Sequence, residues 1–277
     1  MIMKNGTART FAFTALALLA VVAQSSRADD YFSPTDDRVR ISLGAMHVSS
    51  ATTLRADSSA GVQGSDINAE DQFGLGKSDF EPKFQAMVRI DTRQRLSFDY
   101  FMLDRSGNAT LTGNAIVFRN VVFLPGDPLQ TQLSMRTLGL TYGYSFWHSE
   151  TLEIAGTIGV HATDISAEAK VETQSRHIIQ TEDQAGEIPT VGIDATWVAS
   201  KRFYLDGRAQ YLTAHVNNID GSLGIYEFDA LYRYRPNVSF AVGYTDIKAH
   251  LASTQSSQSG FFNFSTKGPE MFFRIAF

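Results

Sequence analysis

The sequence predicts an all-β chain, an antiparallel up-and-down transmembrane β-barrel of ten strands that follows a cleaved leader. Three observations predict it. Apolar residues recur with period two in ten separate stretches, as strands with one oily face require. The connections between those stretches are alternately very short and long and polar. Finally, the chain ends in Gly268-Pro269-Glu270-Met271-Phe272-Phe273-Arg274-Ile275-Ala276-Phe277, which sets Pro269, Met271, Phe273, Ile275 and Phe277 on one face, with Phe272 breaking the alternation. Ends in water fray, so a terminus this apolar must be embedded in something.

The first segment carries Lys4 and Arg9, an uncharged apolar run over residues 11–23, and then Ser26-Arg27-Ala28, a small-x-small cleavage pattern. This reads as a secretory signal peptide over residues 1–28, with the barrel occupying 29–277. The run is too short to span a bilayer as a helix, which takes about 20 residues. Removing the leader removes Lys4, Arg9 and Arg27, and moves the net charge from -5 to -8. The acidic mature chain is not a nucleic-acid binder. The absence of cysteine excludes a disulfide scaffold, a thiol nucleophile and thiolate metal sites. Beyond the leader no apolar run approaches helix-spanning length, so any membrane crossing is made by strands.

The strands follow in order. Val39, Ile41, Leu43 and Ala45 define the first, opposed by Arg40, Ser42, Gly44 and Met46; residues 49–82 read as a long polar loop. Phe84, Ala86, Val88 and Ile90 are separated from Leu96, Phe98, Tyr100 and Met102 only by the turn Thr92-Arg93-Gln94. Residues 105–132, with Pro125-Gly126-Asp127-Pro128, read as a second long loop in which Ile116 to Phe123 can extend beyond the bilayer as strand. Leu138, Leu140, Tyr142, Tyr144 and Phe146 alternate most clearly, and the turn 147–150 leads to Leu152, Ile154, Ile158, Val160 and Ala162. A third loop fills 164–187. Val191, Ile193, Ala195 and Trp197 turn at 199–201 into Phe203, Leu205, Ala209 and Tyr211, and a short connection spans 217–221. Phe228, Ala230, Tyr232 and Tyr234 turn at 235–237 into Val238, Phe240, Val242 and Tyr244; the last long loop is 249–260.

The short turns lie at one end, together with both termini, which is the asymmetry of short periplasmic turns and long extracellular loops. Tyr144, Phe146, Trp147, Trp197, Phe203, Tyr232, Tyr234 and Phe277 lie near that end, where they are expected to form an interfacial girdle. If the apolar face is outward, the lumen receives Arg40, Arg89, Arg208, Arg233 and Arg274 against Asp91, Asp99, Glu153, Asp194, Asp206, Asp229 and Glu270. Arg or Lys facing lipid at mid-depth would cost about 2–4 kcal/mol, whereas inside they pair. Ten strands leave a narrow lumen, so a salt-bridged plug or thin polar channel is expected rather than a wide pore.

The terminal strand resembles the closing strand of gram-negative outer-membrane barrels, which ends in Phe after apolar residues at alternate positions. The architecture is similar to that of the small outer-membrane barrel superfamily, including OmpA-, OmpW- and OmpX-type proteins and the ten-stranded omptins. The resemblance implies that assembly machinery reads Met271, Phe273, Ile275 and Phe277, and that outer-membrane lipid and lipopolysaccharide are the surroundings. It implies a cell outer-membrane location and no cofactor.

Other motifs carry little. Gly74-Leu75-Gly76-Lys77-Ser78 ends like a phosphate loop, but Asp71 stands where the pattern needs Gly. His47 and Ser49 have the His-x-Ser spacing that resembles outer-membrane lipid A deacylases, without a placeable Glu. Omptin-like proteolysis requires paired aspartates plus an Asp-His pair near the rim; His161 and Asp164 are the local candidates, and no Asp pair can be placed on facing strands. His148 and His215 fall in a turn and a loop, and the six histidines lack ligand spacing. The expected function is a non-enzymatic outer-membrane barrel with a structural or surface-interaction role and weak passage of small solutes. Its rivals are a narrow pore or transporter and a barrel hydrolase.

Overall fold

The computed structural model describes residues 33–216, 218–255 and 259–277; the expected leader, residues 1–28, lies outside them. Ten long strands build the barrel: β1 (Val39–Ala56), β3 (Ser78–Arg89), β4 (Gln94–Thr110), β7 (Pro128–His148), β8 (Leu152–Glu172), β9 (His177–Val198), β10 (Phe203–Val216), β11 (Ile219–Arg235), β12 (Val238–Ser253) and β13 (Gly260–Ala276). Three short strands, β2 (Ile67–Asn68), β5 (Ile116–Phe118) and β6 (Val121–Phe123), and a one-turn helix, Ala69–Gln72, sit in the far-end connections. Each long strand pairs antiparallel with its sequence neighbours, and β13 closes onto β1 from Arg40 opposite Ala276 to Ala56 opposite Gly260. Closure leaves no sheet edge around the lower part of the ring. At the near end the chain termini are tied together: Arg38 and Val39 N–H both donate to the Phe277 carbonyl.

The strands are much longer than the alternation suggests. β8 has 21 residues and β9 has 22, where a tilted strand needs about 9–11 to cross a bilayer. Of the stretches expected as loops, 164–187 is almost all strand, with only residues 173–176 separating β8 from β9, and 105–132 is mostly strand; 49–82 and 249–260 keep a loop between strands that run into them from both ends. The connection expected at 217–221 is likewise mostly the start of β11.

The reason is an inversion of polarity along each strand. On β7 the outward residues Leu138, Leu140, Tyr144 and Phe146 face inward Thr141, Gly143 and Ser145, but further along outward Gln130, Gln132 and Arg136 back inward Leu129, Leu133 and Met135. On β8 the outward Ile158 and Val160 give way to exposed Asp164, Glu168 and Glu172, while the inward side changes from Glu153 and His161 to Ala169 and Val171. Period two persists, but its phase flips, so a search for one continuous oily face stops at the flip.

Two seams interrupt the ladder above this boundary. β3 pairs with β4 only over Lys83–Arg89, and β9 with β10 only over Val191–Val198. The first seam is filled by the segment at 73–77, where Leu75 bridges Gly107 and Gly76 N–H donates to the Ser106 carbonyl. Gly74 makes that approach with a positive φ of 69°, a conformation suited to glycine.

Candidate functional site: the charged interior

Strand parity decides what enters the lumen. Above the boundary the inward residues form apolar layers around one tight buried ion pair, Arg105 with Glu70 at 2.6 Å. Met46, Val48, Phe101, Leu103, Met135 and Phe264 make one. Near the mouth Ile67, Phe73, Leu111, Ile116, Phe118, Phe123 and Leu129 make another, capped by the β5–β6 hairpin. Below them the interior is ionic.

Three groups of ion pairs fill that lower interior. Nearest the termini, Arg40 Nε lies 3.1 Å from Asp37, Arg233 lies 3.9 Å from Asp37, and Arg40 also donates to the Pro34 carbonyl. Arg274 pairs with Asp206 and donates to Ser42 Oγ at 3.0 Å. In the second group, Arg89 grips Glu153 with two bonds of 2.8 Å, and Arg95 reaches Glu153 at 3.0 Å and Asp194 at 3.3 Å. In the third, Lys83 Nζ lies 2.8 Å from both Glu227 and Glu270, while Arg208 holds Asp194, Glu227 and Asp99 at 3.4, 3.6 and 3.8 Å. Asp229 is buried beside them in register with Asp206. A cavity of about 70 Å³ remains among Arg40, Arg95, Asp194, Asp206, Arg208 and Arg274.

Every expected lumen residue that stays on a strand is brought inside: Arg40, Arg89, Asp99, Glu153, Asp194, Asp206, Arg208, Asp229, Arg233, Glu270 and Arg274. Asp91 is the exception. It lies exposed in the turn after β3, where the N–H groups of Arg93 and Gln94 donate to its carboxylate and hold its pKa below the ordinary value. Four members were missed. Asp37 precedes the first alternating stretch, Lys83 and Glu227 precede Phe84 and Phe228, which open the second and the eighth, and Arg95 lies between the turn Thr92-Arg93-Gln94 and Leu96. Extending each inward parity by one step finds Lys83, Glu227 and Arg95; Asp37 stands off the parity of Arg40 and Ser42 and is not found that way.

At the near end Tyr144, Phe146, Trp147, Trp197, Phe203 and Tyr234 are exposed on the outer face, and Tyr232 and Phe277 are half-buried. A register shift between Ser145 and Trp147 turns Phe146 and Trp147 outward together. On β13 Met271 and Phe273 are exposed outward and Ile275 is half-buried, whereas Phe272 points into the cluster of Val198, Tyr204, Leu231 and Ala241.

The hydrolytic candidates are mostly separated. His161 is fully buried and Asp164 is exposed on the opposite side of the same strand; the carboxylate beside His161 is Asp99, at 3.7 Å. An aspartate pair on facing strands does exist, Asp206 opposite Asp229, but it lies near the turns at the terminal end rather than at the rim, and Asp206 is taken by Arg274 and Thr196. His47 and Ser49 share the outer face, with the His47 ring 4.7 Å from that of Phe80. His148 lies 3.3 Å from Asp36, and His215 belongs to β10 rather than to a loop. Among the described residues no group of three metal-ligating side chains is gathered.

No protein-family profile matches the chain, and no curated protein sequence matches it. Solved structures do. The outer membrane protease OmpT from Escherichia coli aligns over 90% of this chain and 99% of its own, with a TM-score of 0.57 and 11% identity. The attachment invasion locus protein Ail of Yersinia pestis aligns over 84% and 97% (TM-score 0.35, 8% identity), and the Pseudomonas putida toluene transporter TodX over 87% and 90% (TM-score 0.35, 7% identity). The chain thus has the fold of a small outer-membrane protein, a closed ten-stranded antiparallel transmembrane β-barrel. At such identities the likeness is one of fold alone.

Proposed function

We propose that this protein is an integral outer-membrane barrel with a structural or surface-interaction role and a closed lumen. The carrying observation is the interior: buried ion pairs fill the lower barrel, and two apolar layers and a hairpin fill the upper one. The band of outward apolar residues around the lower barrel, such as Leu138, Leu140, Tyr144 and Phe146 on β7 and Phe240, Val242 and Tyr244 on β12, supports a bilayer setting. On this reading the termini are periplasmic, the near-end aromatics lie at the inner lipid interface and the Met271–Phe277 stripe guides assembly. Lipid and lipopolysaccharide surround the band, and the upper halves of the strands project from the cell surface. The protein is not an enzyme on this reading. Planar-bilayer recording of the pure mature protein tests the closed lumen. Silent bilayers with only rare, brief openings are expected; steady ohmic steps would favour the pore reading instead.

A further inference from the structure

We propose that the upper part of β9 is a docking edge that takes an extended, basic polypeptide segment as an added strand. This deepens the surface-interaction reading and rests on it only for placing the edge outside the cell.

The argument starts from hydrogen-bond parity. β8 and β9 pair without a register shift from Leu152 opposite Trp197 to Glu172 opposite His177. At the two ends of that ladder Thr173 N–H donates to the Arg176 carbonyl and Val198 N–H to the Thr151 carbonyl. Antiparallel ladders alternate bonded and non-bonded pairs, so even-numbered β9 residues aim their N–H and C=O at β8 and odd-numbered ones aim theirs away from it. From Val191 to Val198 those odd groups meet β10. Above Val191 they do not: among the described residues, no backbone bond joins Ile179, Thr181, Asp183, Ala185 or Glu187 to any strand but β8. The open edge is nine residues, about 30 Å long. Pro189 sits at its foot on the same odd parity, where the donor it lacks would have faced the opening. A Cβ at Gly186 would meet nothing within 4 Å.

Such an edge is a template for strand addition. Charge selects the occupant. Lys170 is paired with Glu172 at 2.5 Å, while Asp164, Glu168, Asp183 and Glu187 are four further exposed carboxylates on the outward face of the β8–β9 hairpin. A second copy would bring the same carboxylates together and be repelled; a segment carrying Lys or Arg at alternate positions would pair with them. The other seam in the ladder, between β3 and β4, is already filled by the chain's own segment at 73–77, which leaves the β9–β10 seam, where β9 offers the longer edge, as the place for an incoming strand.

The test is fluorescence anisotropy with the full mature barrel in detergent, using a labelled twelve-residue peptide of alternating Lys and Val. Saturable binding is expected, weakened by salt. The same peptide N-methylated at alternate amides should bind at least about tenfold more weakly, because it keeps the charge but loses the ladder. Asp183→Asn with Glu187→Gln should weaken the parent peptide and flatten its salt dependence. Thr181→Pro with Ala185→Pro, which removes edge donors and leaves the β8 ladder intact, should abolish binding while the heat-modifiable gel shift is retained. Equal binding of the methylated and parent peptides to the native barrel, or no binding of either, overturns the proposal. A conducting lumen would overturn the closed-barrel reading without touching this result.

Discussion

The lower and upper halves of this barrel are built on the same strands and follow opposite rules. In the lower half Val160, Leu140 and Val242 are exposed on the outer face, and Glu153, Arg95 and Asp229 are buried inside. In the upper half Phe123, Leu129 and Val171 are buried inside, and Gln132, Glu168 and Asp183 face out. The upper half is an ordinary water-soluble arrangement, and the lower half is its reverse. The backbone ladder does not register the difference: β7 and β8 run through the boundary with Leu138 opposite Ala162 in unbroken register. Solvent, rather than the strand, sets side-chain polarity, because the ladder satisfies the backbone in either medium.

The comparison is broken most severely by removing a charge from the lower interior. Glu153 is fully buried and holds both Arg89 and Arg95, so Glu153→Gln leaves the Arg89 guanidinium without its carboxylate and Arg95 with Asp194 alone, in a space with little water. A loss of about 3–5 kcal/mol is expected, read as a fall in the temperature of the heat-induced gel shift. Adding Arg89→Gln should restore part of it. Arg208→Gln is expected to cost less than Glu153→Gln, since its contacts of 3.4–3.8 Å are looser than the 2.8 Å grip of Arg89. Losses below about 1 kcal/mol for both would mean that the whole interior is hydrated.

The two halves were not equally legible. Ten strands, four tight turns and the inward charges of the lower barrel can be read because one face there is continuously oily and the other is not. The outward extensions cannot be read that way. At Met46, Phe101 and Met135 the apolar positions change face, and a strand whose oily face switches sides mimics an irregular polar loop. The alternating run Leu129, Thr131, Leu133 and Met135 straddles the end of the stretch 105–132 that reads as loop, with the phase reversed. Register was beyond reach altogether. Nothing in the local pattern brings Lys83 to Glu270 or Arg89 to Glu153, because those contacts cross the barrel and depend on closure.

A second measurement sharpens the boundary by placing one substitution on each side of it. Leu140 and Gln132 are both outward on β7. Leu140→Arg places a charge in the apolar band and should destabilise the folded barrel by about 2–4 kcal/mol. Gln132→Arg, eight positions away on the same face, should stay within about 0.5 kcal/mol. Chemical unfolding from phospholipid vesicles reads both. Similar effects for the two would place the boundary elsewhere on β7.

The smallest effect belongs to the upper half alone and separates the halves by pH. Asp57, just beyond β1, accepts from Ser259 Oγ at 2.5 Å and from Gly64 N–H at 2.9 Å, and lies 3.1 Å from Arg55 Nε. The Ser259 hydroxyl first, then the Gly64 N–H and Arg55, hold its pKa below the ordinary value despite the opposing pull of desolvation. A carboxylate whose folded pKa is depressed stabilises the fold above its unfolded value, about 3.9, and that contribution is lost as pH falls through the folded one. Protection of the Gly64 amide against hydrogen exchange, corrected for intrinsic rates, should therefore be flat from neutral pH down to about 5 and decline below about 4. Ser259→Ala removes the largest favourable contact, so the decline should begin at higher pH and the exchange at neutral pH should rise by less than about tenfold. The lower barrel should hold its gel-shift midpoint unchanged in that variant. A change in the midpoint would show that the mouth and the membrane-embedded ring open as one unit rather than two.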